Sequence, residues 1–191
     1  GSGKTKVLSL AITWSYFHKI YEDNSDLSTN FLVVAPNIIV LERLLTDLGR
    51  DLKVFTTDPI IPDNGYEDKN WKKDFKLNVH IQDEINPHDM GNNLFITNVH
   101  RIYQSRKALD EEFLNYLSGT TKNPTLSDSK LLETLENLDS LVVLNDEAHH
   151  IGVSDSEWLK SIENLNLNLL QKNSSLSLQI DVTATPKTSD G

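Results

Sequence analysis

Two uninterrupted apolar runs constrain this chain more than any other feature. Phe31-Leu32-Val33-Val34-Ala35 carries no polar side chain and stops at Pro36, and Leu141-Val142-Val143-Leu144 is a second such run. A strand with one face in water alternates apolar and polar residues, whereas a strand covered on both faces does not have to. The runs therefore predict strands inside a mostly parallel sheet with helices on both faces. Leu94 to Thr97 and Leu176 to Val182 read as further strands, with Val79 to Ile81 and Leu52 to Phe55 as short candidates. Helical spacing fills the gaps. Residues 4–21 carry Val7, Leu8, Leu10, Ala11, Trp14, Phe17 and Ile20; residues 38–48 carry Ile38, Leu41, Leu44, Leu45 and Leu48, with Asn37 placed to cap that helix and Gly49 to end it. Residues 98–117 look helical in part, 131–138 have helical spacing, and 155–172 form a helix with Asp155 and Lys172 at the ends its dipole prefers. The rest of 56–93 reads as irregular, and 118–130 as a mobile loop. Strands alternating with helices define an α/β fold, whose ligands bind at the carboxyl ends of the strands.

Composition narrows the partners. The chain has 191 residues with a formal net charge of −10, so it is no generally basic nucleic-acid sponge. Any phosphate contact has to come from a local patch or from backbone amides. It contains no cysteine, which excludes disulfides and thiolate zinc sites. No apolar run approaches the ~18 residues of a membrane span and no signal peptide is visible, so the expectation is a soluble, cytoplasmic protein without membrane partners. The chain opens at Gly1 with no initiator Met, which reads as a cut within a longer polypeptide.

The chemistry sits beside the strands. Gly1-Ser2-Gly3-Lys4-Thr5 is the second half of a phosphate loop, followed at once by a helix. Glycines let backbone N–H groups turn around phosphate oxygens, Lys4 reaches the outer phosphates, and the Thr5 hydroxyl suits Mg2+. Gly1 and Ser2 alone would equally suit a tag remnant. Leu141 to Leu144 runs into Asn145-Asp146-Glu147-Ala148-His149-His150, an apolar strand ending in adjacent carboxylates. Asp146 is placed to hold Mg2+ and Glu147 to polarise an attacking water. A solvated acidic turn is the plain alternative, weakened by the phosphate loop upstream. Thr183-Ala184-Thr185-Pro186 follows the last strand and sets hydroxyls near those carboxylates.

In this order GSGKT, NDEAHH and TATP resemble motifs I, II and III of superfamily 2 helicases, in the first of their two RecA-like domains. Val34 to Leu41 resembles motif Ia, and Phe95 to Arg101 resembles motif Ib. The wording is most similar to the Res motor subunit of type III restriction enzymes. The resemblance implies a RecA-like P-loop NTPase domain truncated before its first strand, occupying 1–191, with 104–139 as an insertion. It implies ATP and Mg2+ as cofactors and translocation on duplex DNA. Lys4 and Glu147 would be catalytic, Gly1 to Thr5 would hold the nucleotide, and Thr5 and Asp146 the metal. His149, Thr183 and Thr185 would couple nucleotide state to DNA grip. Pro36, Asn37, Thr97 and Asn98, joined by His100 and Arg101, would meet the DNA. The implied partners are a second RecA-like domain with an arginine finger, a nuclease domain of the same chain, and a modification or recognition subunit. Without them this stretch is expected to be inactive alone. A DEAH-box RNA or DNA helicase, or a P-loop module that binds nucleotide without hydrolysis, are the alternatives.

Other features carry less. Asp63, Glu67 and Lys69 mimic a nuclease signature, but the residues between Asp63 and Glu67 are too few for two paired strands. His149-His150 has no third metal ligand, and His18, His80 and His88 read as surface or half-buried. His100, Arg101, Tyr103, Arg106 and Lys107 form the clearest basic cluster. It suits either a nucleic-acid backbone or a solvated helix face.

Overall fold

The computed structural model describes residues 3–49, 51–57, 60–62, 67–82, 84–85, 91–118, 130–146 and 155–183. Five strands form one all-parallel sheet: β1 (Asn30–Ala35), β2 (Asn78–Ile81), β3 (Asn93–Asn98), β4 (Ser140–Asp146) and β5 (Ser175–Val182), in the spatial order β2-β3-β1-β4-β5. The apolar runs are its centre. Phe31 to Ala35 in β1 and Leu141 to Leu144 in β4 are all 0% exposed, and Val33 lies opposite Leu144 and Ile96.

Alternate residues of each central strand serve opposite faces. On one, Phe31, Val33, Ala35, Ile96 and Leu144 pack against α1 (Lys4–Tyr21), α2 (Ile38–Leu48) and α3 (Lys53–Thr56). On the other, Leu32, Val34, Phe95 and Val143 pack against α5 (Val99–Ser118), α6 (Lys130–Leu135) and α7 (Asp155–Gln171). A further single turn, α4 (Trp71–Asp74), lies against α1, where Trp71 stacks on Phe17 at 4.8 Å between ring centres. This is the three-layer α/β architecture expected.

Helix α2 is capped as read: the Val40 N–H donates to Asn37 Oδ1 at 3.0 Å, and Gly49 is the C-cap. Such a cap contributes about 1 kcal/mol. Helix α1 is fixed by Tyr16, 1% exposed. Its hydroxyl donates to the Asp74 carbonyl at 2.8 Å and accepts from the Lys76 N–H at 3.1 Å and from Asn92 Nδ2 at 2.8 Å. Burial pushes the Tyr16 phenol above its usual range.

Some expectations change. Leu52 to Phe55 is not a strand: Leu52 takes a left-handed turn (φ 48°), its N–H bonds the Gly49 carbonyl, and a one-turn helix drops Phe55 into the core. Residues 71–74, inside the stretch read as irregular, form α4, capped by Asn70. His80 is 4% exposed, bonded through Nε2 to Asn93 Oδ1 at 2.9 Å and stacked on Phe95. Helix α5 is continuous through residue 104, and Leu131, Leu132 and Leu135 of α6 belong to the core. Of the loop expected at 118–130, residues 119–129 lie outside the described residues. No helix among the described residues is long and apolar enough to cross a membrane.

Candidate functional site

Chain direction around β1 determines where a site can form. From the carboxyl end of β1 the chain enters α2 on one face of the sheet. The helices that follow its neighbours β3 and β4, α5 and α7, lie on the opposite face. Chains leaving adjacent strands in opposite directions open a crevice between them, the usual place for a ligand in such sheets. Strand β1 therefore has a crevice on each side.

The β1–β4 crevice holds Asp146. Residue parity puts Asp146 on the same side as Leu144, toward α1 and α2. It is 0% exposed. Its Oδ2 accepts from Arg43 Nη2 at 2.6 Å, an ion pair between a buried carboxylate and a guanidinium whose side chain is 48% exposed. Its Oδ1 is buried with no hydrogen-bond partner among the described residues. A buried oxygen left so costs about 1–3 kcal/mol. The neighbouring Asn145 is also 0% exposed and donates through its amide to Asp181 on β5.

Helix α1 starts on the same face. Gly3 precedes it at φ 73°, a backbone angle that favours glycine, although a Cβ there would meet nothing within 4 Å. The first turn has no side-chain cap and no acidic residue, and the positive end of the helix dipole lies there, which favours an anion. Lys4 is only 8% exposed and Thr5 half-buried. Among the described residues no three His, Cys, Asp or Glu side chains cluster as a metal centre. The donor set suits Mg2+, which binds through one or two carboxylates and completes its shell with waters and substrate phosphates. Asp146 Oδ1 and the Thr5 hydroxyl are hard oxygen donors of that kind.

The β1–β3 crevice is a cleft of about 540 Å³ lined by Asn37, Ile38, Gln82, Asn98, His100, Arg101 and Gln104. It is built twice over in the same way. Asn37 caps α2, and Asn98 Oδ1 accepts the Arg101 N–H at 3.1 Å to cap α5. Two long helices thus start side by side at the ends of adjacent strands. Arg101 Nη1 donates to Gln104 Oε1 at 2.9 Å.

The expected residues are sorted by this geometry. Asn37 and His100 are exposed and Arg101 half-exposed at the cleft, with Asn98 8% exposed at its floor. Thr97 is 0% exposed and Pro36 is buried, beneath the cleft's exposed lining. Thr183 follows Val182, the partner of Asp146 across β4 and β5, and is half-buried. Gly1, Ser2, Glu147, His149 and Thr185 lie outside the described residues, as do Asp63, His88 and His150. The basic cluster divides. His100 and Arg101 serve the cleft, whereas Arg106 turns to Glu136 at 3.5 Å. Lys107 lines a separate cavity between α5 and α7 with Tyr103, Asp110 and Lys160. Glu67 and Asp68 form a left-handed turn (φ 51° and 64°) and Lys69 stands over the Tyr21 ring at 4.9 Å, so the described part of the nuclease-like string, 67–69, is a surface turn.

Arg43 was not legible in the sequence. It follows the apolar Leu41 on a helix, and nothing local names a carboxylate 103 residues away.

The family model described as type III restriction enzyme, res subunit, matches residues 1–188. No curated protein and no solved structure matches the chain. The match covers nearly the whole length and agrees with the all-parallel sheet and the strand-end crevices. The chain belongs to the type III restriction enzyme res-subunit family, whose domain is a P-loop ATPase related to superfamily 2 helicases.

Proposed function

We propose that this domain is the first RecA-like half of an ATP-driven motor that moves on duplex DNA, the N-terminal part of a type III restriction-like enzyme. The observation that carries the reading is Asp146: a carboxylate buried in the β1–β4 crevice with one oxygen lacking a partner among the described residues, on the face where α1 opens with Lys4 and Thr5. Burying such a group without use would be a net cost to stability.

On this reading Gly1 to Thr5 cradle the ATP phosphates, with Lys4 neutralising charge on the outer ones. Thr5 and Asp146 hold Mg2+, which supplies charge neutralisation of the phosphates when bound. Glu147 orients and polarises the attacking water. Thr183, Thr185 and His149 connect this centre to the DNA side. The duplex lies across the β1–β3 cleft, against the starts of α2 and α5, where Asn37, Asn98, His100 and Arg101 line the way. A second RecA-like domain supplies the arginine finger, worth roughly 10³–10⁵ in rate in related enzymes. A nuclease domain and a modification subunit complete the enzyme.

The test is ATP hydrolysis by the full-length polypeptide with Mg2+ and duplex DNA, single-stranded DNA or RNA. Duplex DNA should stimulate most, and Glu147→Gln should abolish turnover while the 191-residue chain alone stays inactive. Stimulation by RNA alone would replace this reading with an RNA helicase. Nucleotide binding without turnover under every condition would replace it with a passive P-loop module.

A further inference from the structure

Arg43 raises a question that the nucleotide reading leaves open. The same carboxylate that is placed for a divalent cation is already held by a monovalent one, at 2.6 Å. Two cations on one buried carboxylate repel each other strongly, because little water is there to screen them. Holding one therefore weakens the hold on the other. The two partners of the ion pair differ in freedom. Asp146 is 0% exposed and fixed at a strand end, its neighbour Asn145 tied to Asp181. Arg43 is 48% exposed and extends from the middle of α2 on a flexible stem. Swinging outward, its guanidinium regains full hydration, and among the described residues Asp146 is its one polar partner. We propose that Arg43 competes with the divalent cation for Asp146, acting as a displaceable counter-ion that sets the metal affinity of the site. Arg43 is a positioning residue here: it acts through Asp146 and not on the nucleotide.

A competing geometry is testable in the same experiment. If Arg43 stayed on Oδ2 and merely oriented Oδ1 toward the metal, its removal would weaken metal binding. If it competes, removal strengthens binding.

This inference rests on the reading of Asp146 as the metal-holding carboxylate, and the controls separate the two. The probe is Mn2+ with ADP, its free concentration followed by electron paramagnetic resonance, on the full-length polypeptide. Asp146→Asn should lower Mn2+ affinity at least about tenfold, and Arg43→Gln should raise it about tenfold, a difference of ~1.4 kcal/mol. Arg43→Met keeps the apolar stem and removes the charge, so it should match Arg43→Gln and covers the case in which that variant misfolds. A merely structural role for Arg43 would lower affinity or leave it unmoved. Unchanged or weaker Mn2+ binding in both Arg43 variants, with Asp146→Asn still defective, overturns the competition and leaves the metal reading standing. Unchanged binding in Asp146→Asn overturns both.

Discussion

Removing either partner of the Arg43–Asp146 pair should have very different consequences for stability. Arg43→Ala leaves Asp146, 0% exposed in the intact protein, with neither oxygen bonded among the described residues. Breaking a buried ion pair from one side costs 3–5 kcal/mol when both charges are dry. Here Arg43 is 48% exposed, so water follows the guanidinium out and part of the penalty is relieved. The expected cost is about 2 kcal/mol. Asp146→Asn keeps the shape of the side chain and removes the buried charge, while Arg43 returns to water. Its cost should be about 0–1 kcal/mol, the scale of an exposed pair. In the double variant the second change should add little to Asp146→Asn, giving a coupling energy near 2 kcal/mol. Urea unfolding with EDTA present measures all four species, and about 2 kcal/mol corresponds to roughly 4–8 °C in Tm for a chain of this size. If Asp146→Asn proved as destabilising as Arg43→Ala, or the two effects added without coupling, the picture of a buried charge with a half-solvated partner would be wrong.

Two further outcomes test how α1 is held. Tyr16→Phe removes a hydroxyl with three partners on the segment 74–92, and should cost about 1–3 kcal/mol in unfolding with nucleotide affinity unchanged. Tyr21 is pushed up to about 12 by burial and by its hydrogen bond to Asp74. Its proton is therefore held more tightly in the folded state, so its contribution is whole below the ordinary tyrosine range near pH 10 and is lost as pH rises from there through about 12. The stability gap between the wild-type protein and Tyr21→Phe should stay constant from pH 7 to 9 and close above pH 10. A gap that widens with alkali would contradict the assignment.

What the sequence reveals follows the range of the forces involved. Helix α2 is readable from Asn37 to Gly49 because capping and helical period are local: each depends on residues within one or two turns. The apolar runs are readable because burial on both faces leaves its mark on consecutive residues. Strand β3 shows the limit. All six of its residues are buried, yet Asn93, Thr97 and Asn98 are polar, and only Leu94 to Thr97 read as strand. Asn93 is satisfied by His80 and Asn30, partners from other strands that no local pattern names. Leu52 to Phe55 had strand composition, but Leu52 turns left-handed against Gly49, and a backbone reversal has no side-chain signature. Asp146 itself was legible as the end of an apolar run. Its partner Arg43 was not, since only the sheet brings β4 beside the helix that leaves β1.

The same topology resolves the tension between a net charge of −10 and a phosphate-binding role. Among the described residues lining the β1–β3 cleft, the side chains contribute one permanent positive charge, Arg101, beside His100. The rest of the cleft's positive potential comes from structure. Helices α2 and α5 both begin there, each presenting first-turn N–H groups and about half a positive charge from its dipole. Each Asn cap takes up only the third amide of its helix, so the first two stay directed out of the helix end. Dipoles of this kind are tied to the backbone and do not appear in a count of lysines and arginines. They also do not attract polyanions over long range as a basic surface does, because their field fades within about a turn of the helix end. An acidic exterior with two convergent helix starts therefore suits contact with a phosphate backbone already brought close by other parts of the enzyme. It does not suit capture of free nucleic acid, which fits the proposed motor only if other parts of the enzyme deliver the DNA.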